Sequence, residues 1–239
     1  AAGLALVNWL YGYFILPESL LKENRREFEW SRANPLGALF ALKRYPSVAG
    51  LIGALTFIYL ASHAIQGTWT YFSMEKFNWS ESMVGYSLGL VGIMSALVQG
   101  LLIRIIIPKI GEYNTMITGI IFNICGCLLF SMASEGWMLL CFIIPYSLGG
   151  IAGPAIQGIL SNQIPDNEQG QLQGALTSMM AATGIIGPLM MTSIFAYFTA
   201  ENAPIYFPGA PFVTGAVLVA ICLFLILRKG SKYTTGNPI

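Results

Sequence analysis

Six long apolar stretches, at 47–73, 83–107, 113–133, 137–162, 171–198 and 211–228, alternate with short polar segments along most of the chain. A helix rises about 1.5 Å per residue and needs about 20 apolar residues to cross the roughly 30 Å of membrane hydrocarbon. Each stretch therefore predicts one spanning helix, and the short joining loops make successive spans antiparallel. Ahead of them, 3–16 (GLALVNWLYGYFIL) is apolar but too short to cross, and reads as the end of a further spanning helix. A charged linker, 17–46, follows. Within it Leu36, Leu39, Phe40 and Lys43 have helical spacing, which predicts a short helix on the membrane surface over 35–43. Residues 229–239 read as a polar tail.

The pattern is interrupted most strongly between 144 and 188, where two apolar helices flank a polar hairpin, 161–170. Gly149, Gly150, Gly153 and Pro154 break the first helix, and Gly184, Gly187 and Pro188 the second. Proline inside a helix removes a backbone hydrogen bond at a cost of about 3 kcal/mol. Membrane helices tolerate it where neighbouring helices, hydroxyls or water satisfy the freed carbonyl. Small residues let backbones approach closely, which holds helices together where lipid is as apolar as leucine. Such breaks suit a hinge or a ligand-lined wall, and they suit plain packing equally.

Composition agrees with the pattern. Hydrophobic residues make up 55% of the 239 and charged residues only 10%, far below the roughly 25% of soluble domains. There is too little polar sequence to cover a soluble core, so the chain is an all-α integral membrane protein. The net charge of +1 points to no charged partner, and no nucleic acid is expected. Cys125, Cys127, Cys141 and Cys222 all lie in apolar runs without a zinc-ligand spacing, and read as small buried side chains. Orientation follows from Lys and Arg. Lys22, Arg25, Arg26, Arg32, Lys43, Arg44, Arg104, Lys109, Arg228, Lys229 and Lys232 share one side, and Lys76 alone takes the other. The basic side is cytoplasmic, which places Trp79 and Trp137 at the outer interface.

Candidate chemistry is sparse. His63 is the one ionisable group in the middle of a span, and intramembrane ionisable residues are functional candidates by default. Tyr59, His63, Gln66 and Thr70 recur at i, i+4, i+7 and i+11 as one polar stripe, with Trp69 beside it. A neutral imidazole both donates and accepts, and its ordinary pKa near 6.5 suits proton exchange; a structural histidine bonded to a neighbouring helix is the alternative. Tyr146, Gly150, Gly153, Gln157 and Ser161 line one face of the fourth span, Ser95 and Gln99 lie together on the second, and Asn123 is alone on the third. Met179, Met180, Met190 and Met191 could line a soft pocket. The Gly111-containing turn 100–115 supplies Arg104, Lys109 and Glu112, which could pair across it or cap helix ends. No nucleophile, metal cluster or carboxylate pair lies at membrane depth, so no enzyme, catalytic residue, metal site or cofactor is expected.

Six spans, preceded by the end of another and a cytoplasmic linker, match half of a major facilitator fold, which joins two six-helix halves. The segments GGIAGPAIQGILSNQI, NEQGQLQGALTSM, EKFNWSESMVGYSLGLVGIMSALVQG and KIGEYNTMITG resemble the C-terminal half of that superfamily's tetracycline-resistance branch, and LPESL and NPLGAL resemble the stretch after its sixth helix. The resemblance covers nearly the whole chain. It implies an inner-membrane antiporter that exchanges protons for a drug, tetracycline as its magnesium chelate in the type members. It also implies a missing N-terminal half as partner, beside the lipid bilayer and the small-molecule substrate. Gln66, Gln157 and the Gly and Pro positions keep the family pattern, as do Lys109, Gly111 and Glu112 in the cytoplasmic loop. Two positions depart from it: Ser95 stands where many tetracycline exporters carry His, and Asn123 where they carry Asp. The expectation is a proton-coupled drug or tetracycline effluxer working by alternating access. A proton-coupled symporter for a small metabolite and a non-transporting membrane subunit are the alternatives.

Overall fold

A computed structural model describes residues 2–15 and 45–228, which fold as helices joined by tight turns. The α-helices are α1 (Ala2–Phe14), α2 (Pro46–Phe77), α3 (Glu81–Leu97), α4 (Ile103–Met132), α5 (Gly136–Leu148), α6 (Ala152–Asn162), α7 (Gln169–Thr199) and α8 (Ala210–Arg228). A π-helical turn, Val98–Leu102, joins α3 to α4, and a 3₁₀ turn, Gly149–Ile151, joins α5 to α6. The expected surface helix over 35–43, the linker as far as residue 44 and the tail 229–239 lie outside the described residues.

Among the described residues five helical runs are long and apolar enough to cross a membrane, and the chain is an integral, multi-pass membrane protein. One run, Glu81–Met132, is 52 residues long, about 78 Å at about 1.5 Å per residue, more than twice the roughly 30 Å of hydrocarbon. It is broken at Gly111, whose φ of 79° and ψ of 163° are not helical. That region is essentially open to glycine alone. The break reverses the chain: Gln99 and Asn123, on opposite sides of Gly111, both lie against the Gly149–Gly150 pair. Six crossings result. Where the pattern predicts a loop between 107 and 113, helix instead continues through Pro108, and one glycine makes the turn.

The other turns have local causes. Asn78 ends α2 in the left-handed conformation (φ 52°, ψ 37°), its N–H bonded to Met74 O at 3.0 Å. Ser80 caps α3, accepting from the Met83 N–H at 3.3 Å, with Glu81 in the first turn where its charge complements the helix dipole. Between α6 and α7, Gln169 closes the hairpin. Its Nε2 donates to Ser161 O (2.9 Å) and Ile164 O (3.0 Å), and its Oε1 accepts from Ser161 Oγ at 3.0 Å.

In packing order, α8 lies between α2 and α4, α7 packs on α2, and α5 and α6 pack on α4 with α3 beyond α5. Two ends can be told apart by their polar links. At one, Glu112 accepts from Asn162 Nδ2 (3.2 Å) and Tyr45 OH donates to Glu168 (3.2 Å). At the other, Tyr206 OH donates to Glu75 (3.0 Å), and Trp79 sits so close to Gly136 that a Cβ there would stand 2.6 Å from the indole nitrogen. Arg104, Lys109 and Arg228 belong to the first end and Lys76 to the second, as the charge pattern requires.

Apolar burial is split the same way. One core gathers Val48, Leu51, Leu55, Met116, Ile120, Ile156, Leu160, Leu172 and Ile226. The second gathers Trp69, Phe72, Phe130, Leu139, Ile143, Met191 and Phe212. Its aromatic rings meet edge to face, with Phe72 and Phe212 centroids 4.7 Å apart and Trp69 and Phe130 5.1 Å apart. The Trp69 indole, buried there, donates to Ser87 Oγ at 2.9 Å and ties α2 to α3. His63 lies between Ala61 of the first core and Ala64 of the second.

Candidate functional site

At that seam the bundle opens into a cavity of about 510 Å³, within the range of small-molecule sites. Tyr59, His63 and Gln66 reach it from α2, Gln99 from the π turn, Asn123 from α4, Gly149 and Gly150 from the 3₁₀ turn, and Gly153, Pro154 and Gln157 from α6. Met180 and Thr183 of α7 and Val219 of α8 also line it. Five of the polar residues singled out from the sequence, His63, Gln66, Gln99, Asn123 and Gln157, are thus brought together.

The local geometry explains how. Over Val98–Leu102 the helix takes i+5 hydrogen bonds, with Ile103 N–H bonded to Val98 O; such wide turns are rare and concentrate at functional positions. Facing it, α5 tightens into the 3₁₀ turn, and a Cβ on Gly150 would meet the Gln99 amide nitrogen at 3.5 Å. Gly149 lies against Asn123, where an added Cβ would stand 2.9 Å from the backbone nitrogen. The α4 helix is held to its neighbours by two glycines that the sequence reading passed over. A Cβ on Gly119 would lie 2.6 Å from Ala152 N, and one on Gly126 2.6 Å from Tyr146 Cα. The periodicity of Gly119, Asn123 and Gly126 on one helical face was the available signal.

His63 packs on α7. A Cβ on Gly187 would fall on the imidazole, 2.6 Å from Cγ and closer still to Cδ2. One α2 turn on, Gly67 faces Pro188, with 3.8 Å between its Cβ position and the Pro188 Cα. Gly187 and Pro188 are therefore a close crossing of α7 over α2. Gly184 and Gly153, by contrast, have nothing within 4 Å of a Cβ position; Gly153 leaves space in the cavity wall.

Other predicted residues stand apart from the cavity. Thr70 is exposed, farther along α2. Ser95 is half-buried on α3, before the π turn. Tyr146 packs between α4 and α5, its ring 5.4 Å from that of Phe130. Of the four methionines only Met180 lines the cavity; Met179 and Met191 are buried in the cores, Met179 accepting from Thr56 Oγ1 at 2.7 Å. In the turn around Gly111, Arg104 and Lys109 are exposed, and Glu112 bonds to Asn162 and lies against Gly158. Its partner is an amide of α6; of the two roles the sequence left open, pairing across the turn with Arg104 or Lys109 is not the one observed.

The six-helix arrangement is that of a known class. The model of the Major Facilitator Superfamily matches residues 1–188 and also residues 51–238. The tetracycline resistance protein, class C, of Escherichia coli is 33% identical over 231 residues, covering 97% of this chain and 57% of that protein. The class E protein of Escherichia coli is 36% identical over 192 residues, covering 80% of this chain and 46% of its own length. The chain thus spans about half the length of the curated relatives it matches. In fold it resembles the crystal structure of the POT family transporter PepTSo, with a TM-score of 0.60 at 16% identity over 80% of this chain and 39% of that one. From the family match, the chain belongs to the Major Facilitator Superfamily, a family of transporters, and within it the chain is similar to the tetracycline resistance proteins.

Proposed function

We propose that this chain forms one six-helix half of a proton-coupled transporter that expels tetracycline or a compound of similar size across the bacterial inner membrane by alternating access. One observation carries the reading: five polar side chains from four helical segments converge on a single cavity at the seam between two packed cores. A structural polar network would be closed and satisfied within the protein. Here Gln66, Gln99 and Gln157 make no side-chain hydrogen bond among the described residues and stand exposed to the cavity. The names of the relatives support the substrate class.

In this mechanism the amides and Asn123 hold the substrate, and His63 takes up and releases the coupling proton beside it. No lining residue is Asp, Glu, Lys or Arg, so on this wall the imidazole has no competitor but the Tyr59 phenol. Because the ring rests on Gly187, a change in its charge or rotamer acts directly on the crossing of α7 and α2. The partner half docks on the ends of the packing order, α3 and α7, where Tyr86, Ile93, Ile185 and Leu189 are exposed. Arg104, Lys109, Gly111 and Glu112 form the cytoplasmic turn that moves with the gate, and rigid-body rocking of the halves exposes the cavity to each side in turn.

Gly153 offers a direct test, because a side chain there enters the cavity without meeting protein. In everted vesicles carrying the intact protein, Gly153→Trp is expected to abolish gradient-driven tetracycline uptake at unchanged protein level. Uptake at the wild-type rate would remove the cavity from the transport path.

A further inference from the structure

Two irregular turns meet at the cavity. In the π turn Ile103 N–H reaches back five residues to Val98 O, and in the 3₁₀ turn Ala152 N–H reaches back three to Gly149 O, where an α-helix reaches back four. The turns pack on one another. A Cβ on Gly150 would meet the Gln99 amide nitrogen at 3.5 Å, and one on Gly149 the Asn123 backbone nitrogen at 2.9 Å. The 3₁₀ turn is thus wedged between two cavity-lining residues, Gln99 and Asn123. Unbroken helix would serve the backbone better, since π turns are rare and 3₁₀ bonds have poorer geometry. A second sign lies at the end of α5. Thr68, Ser73, Ser87, Thr115, Ser131 and Thr183, all buried, donate to a carbonyl three or four residues back. Ser147, 4% exposed and two residues before the 3₁₀ turn, has no partner for its hydroxyl among the described residues. A buried polar group left without a partner calls for an explanation.

We propose that the two turns interconvert with α-helix as a pair, and that the π form seen here is the one that binds substrate through Gln99. In an unbroken helix Gln99 shares the face of Ser95, which lies off the cavity; the wide turn brings its amide onto the wall. On the reading of the cavity as the transport site, on which this rests, a substrate bonded to Gln99 favours the π form by its differential affinity for the two. In the α form Gln99 withdraws from Gly150, α5 and α6 run on as one regular helix, and Ser147 bonds a carbonyl behind it as the other buried hydroxyls do.

Deleting one residue of the wide turn fixes the α form while the helix on either side keeps its faces. The variant is deletion of Gly100, and its reference is Gly100→Ala, which keeps the length and meets nothing within 4 Å. In the intact protein the deletion is expected to melt a few degrees above Gly100→Ala. In everted vesicles it should raise KM for tetracycline about three- to tenfold, the worth of one hydrogen bond, at unchanged maximal rate. Gln99→Leu should raise KM equally, and the double variant no further, because both remove one contact. Without any substitution, saturating tetracycline should slow amide hydrogen exchange at 98–103 and 149–152 together. A deletion variant that melts below its reference, multiplicative KM effects, or exchange that changes at neither turn or at only one would overturn the proposal. If uptake in those cases is still abolished by Gly153→Trp, the transport reading survives. Uptake insensitive to Gly153→Trp overturns both.

Discussion

Replacing Gly187 with alanine places a methyl group where the imidazole of His63 lies. The new Cβ would stand 2.6 Å from His63 Cγ and 3.0 Å from its Cβ, whereas carbon atoms pack at about 3.5–4.0 Å. The ring, whose Cδ2 lies closest, must retreat by more than about 1 Å, or α7 must lift from α2. Overpacking of this kind costs about 1–3 kcal/mol. Alanine also gains about 0.5–1 kcal/mol over glycine inside a helix, so the raw effect of the substitution understates the clash. Gly184 supplies the correction: it lies on the same helix and an alanine there meets nothing within 4 Å. The difference between the two variants cancels the helix term and leaves the clash, about 1–3 kcal/mol against Gly187→Ala. Thermal unfolding of the purified intact protein in detergent, followed by tryptophan fluorescence, reads it as an apparent Tm a few degrees lower for Gly187→Ala than for Gly184→Ala. Equal Tm values would refute the close crossing and, with it, the mechanical link from His63 to α7.

Two further substitutions test the turns. Gly111→Ala forces a side chain into a backbone region open essentially to glycine, at a cost of about 1–3 kcal/mol, and should lower Tm although the residue is exposed. Gln169→Ala removes three hydrogen bonds of the hairpin between α6 and α7. At about 0.5–1.5 kcal/mol each, and with part of the loss made good by water, limited proteolysis should cut between 163 and 168 several times faster than in the wild type.

Helical periodicity made the spans legible, and it placed His63 and Gln66 on one face because both lie within about two turns of α2. It could not say how far along the helix the cavity extends. Thr70 continues the stripe but is seven residues beyond His63, about 10 Å at 1.5 Å per residue, and leaves the cavity. Nor does a period of 3.6 carry across a π turn. Ser95 and Gln99 share a face in an ideal helix, yet the helix widens at Val98 and only Gln99 reaches the cavity. Glycine positions were readable as breaks, but which of them touch another backbone depends on helix crossings. Gly119 and Gly126 are in contact, and Gly184, in as conspicuous a context, is open. The reversal between the second and third spans was legible from the short segment that separates them, but not that Gly111 alone makes it, because the chain stays helical through Pro108 up to the turn.

The most direct test of the central claim is gradient-driven tetracycline uptake by His63→Ala in everted vesicles, beside exchange of labelled for unlabelled drug without a gradient. The account predicts that uptake driven by the proton gradient is lost while exchange persists, because the cavity and its amides remain. Gradient-driven uptake at the wild-type rate would contradict it and move proton coupling away from this cavity wall.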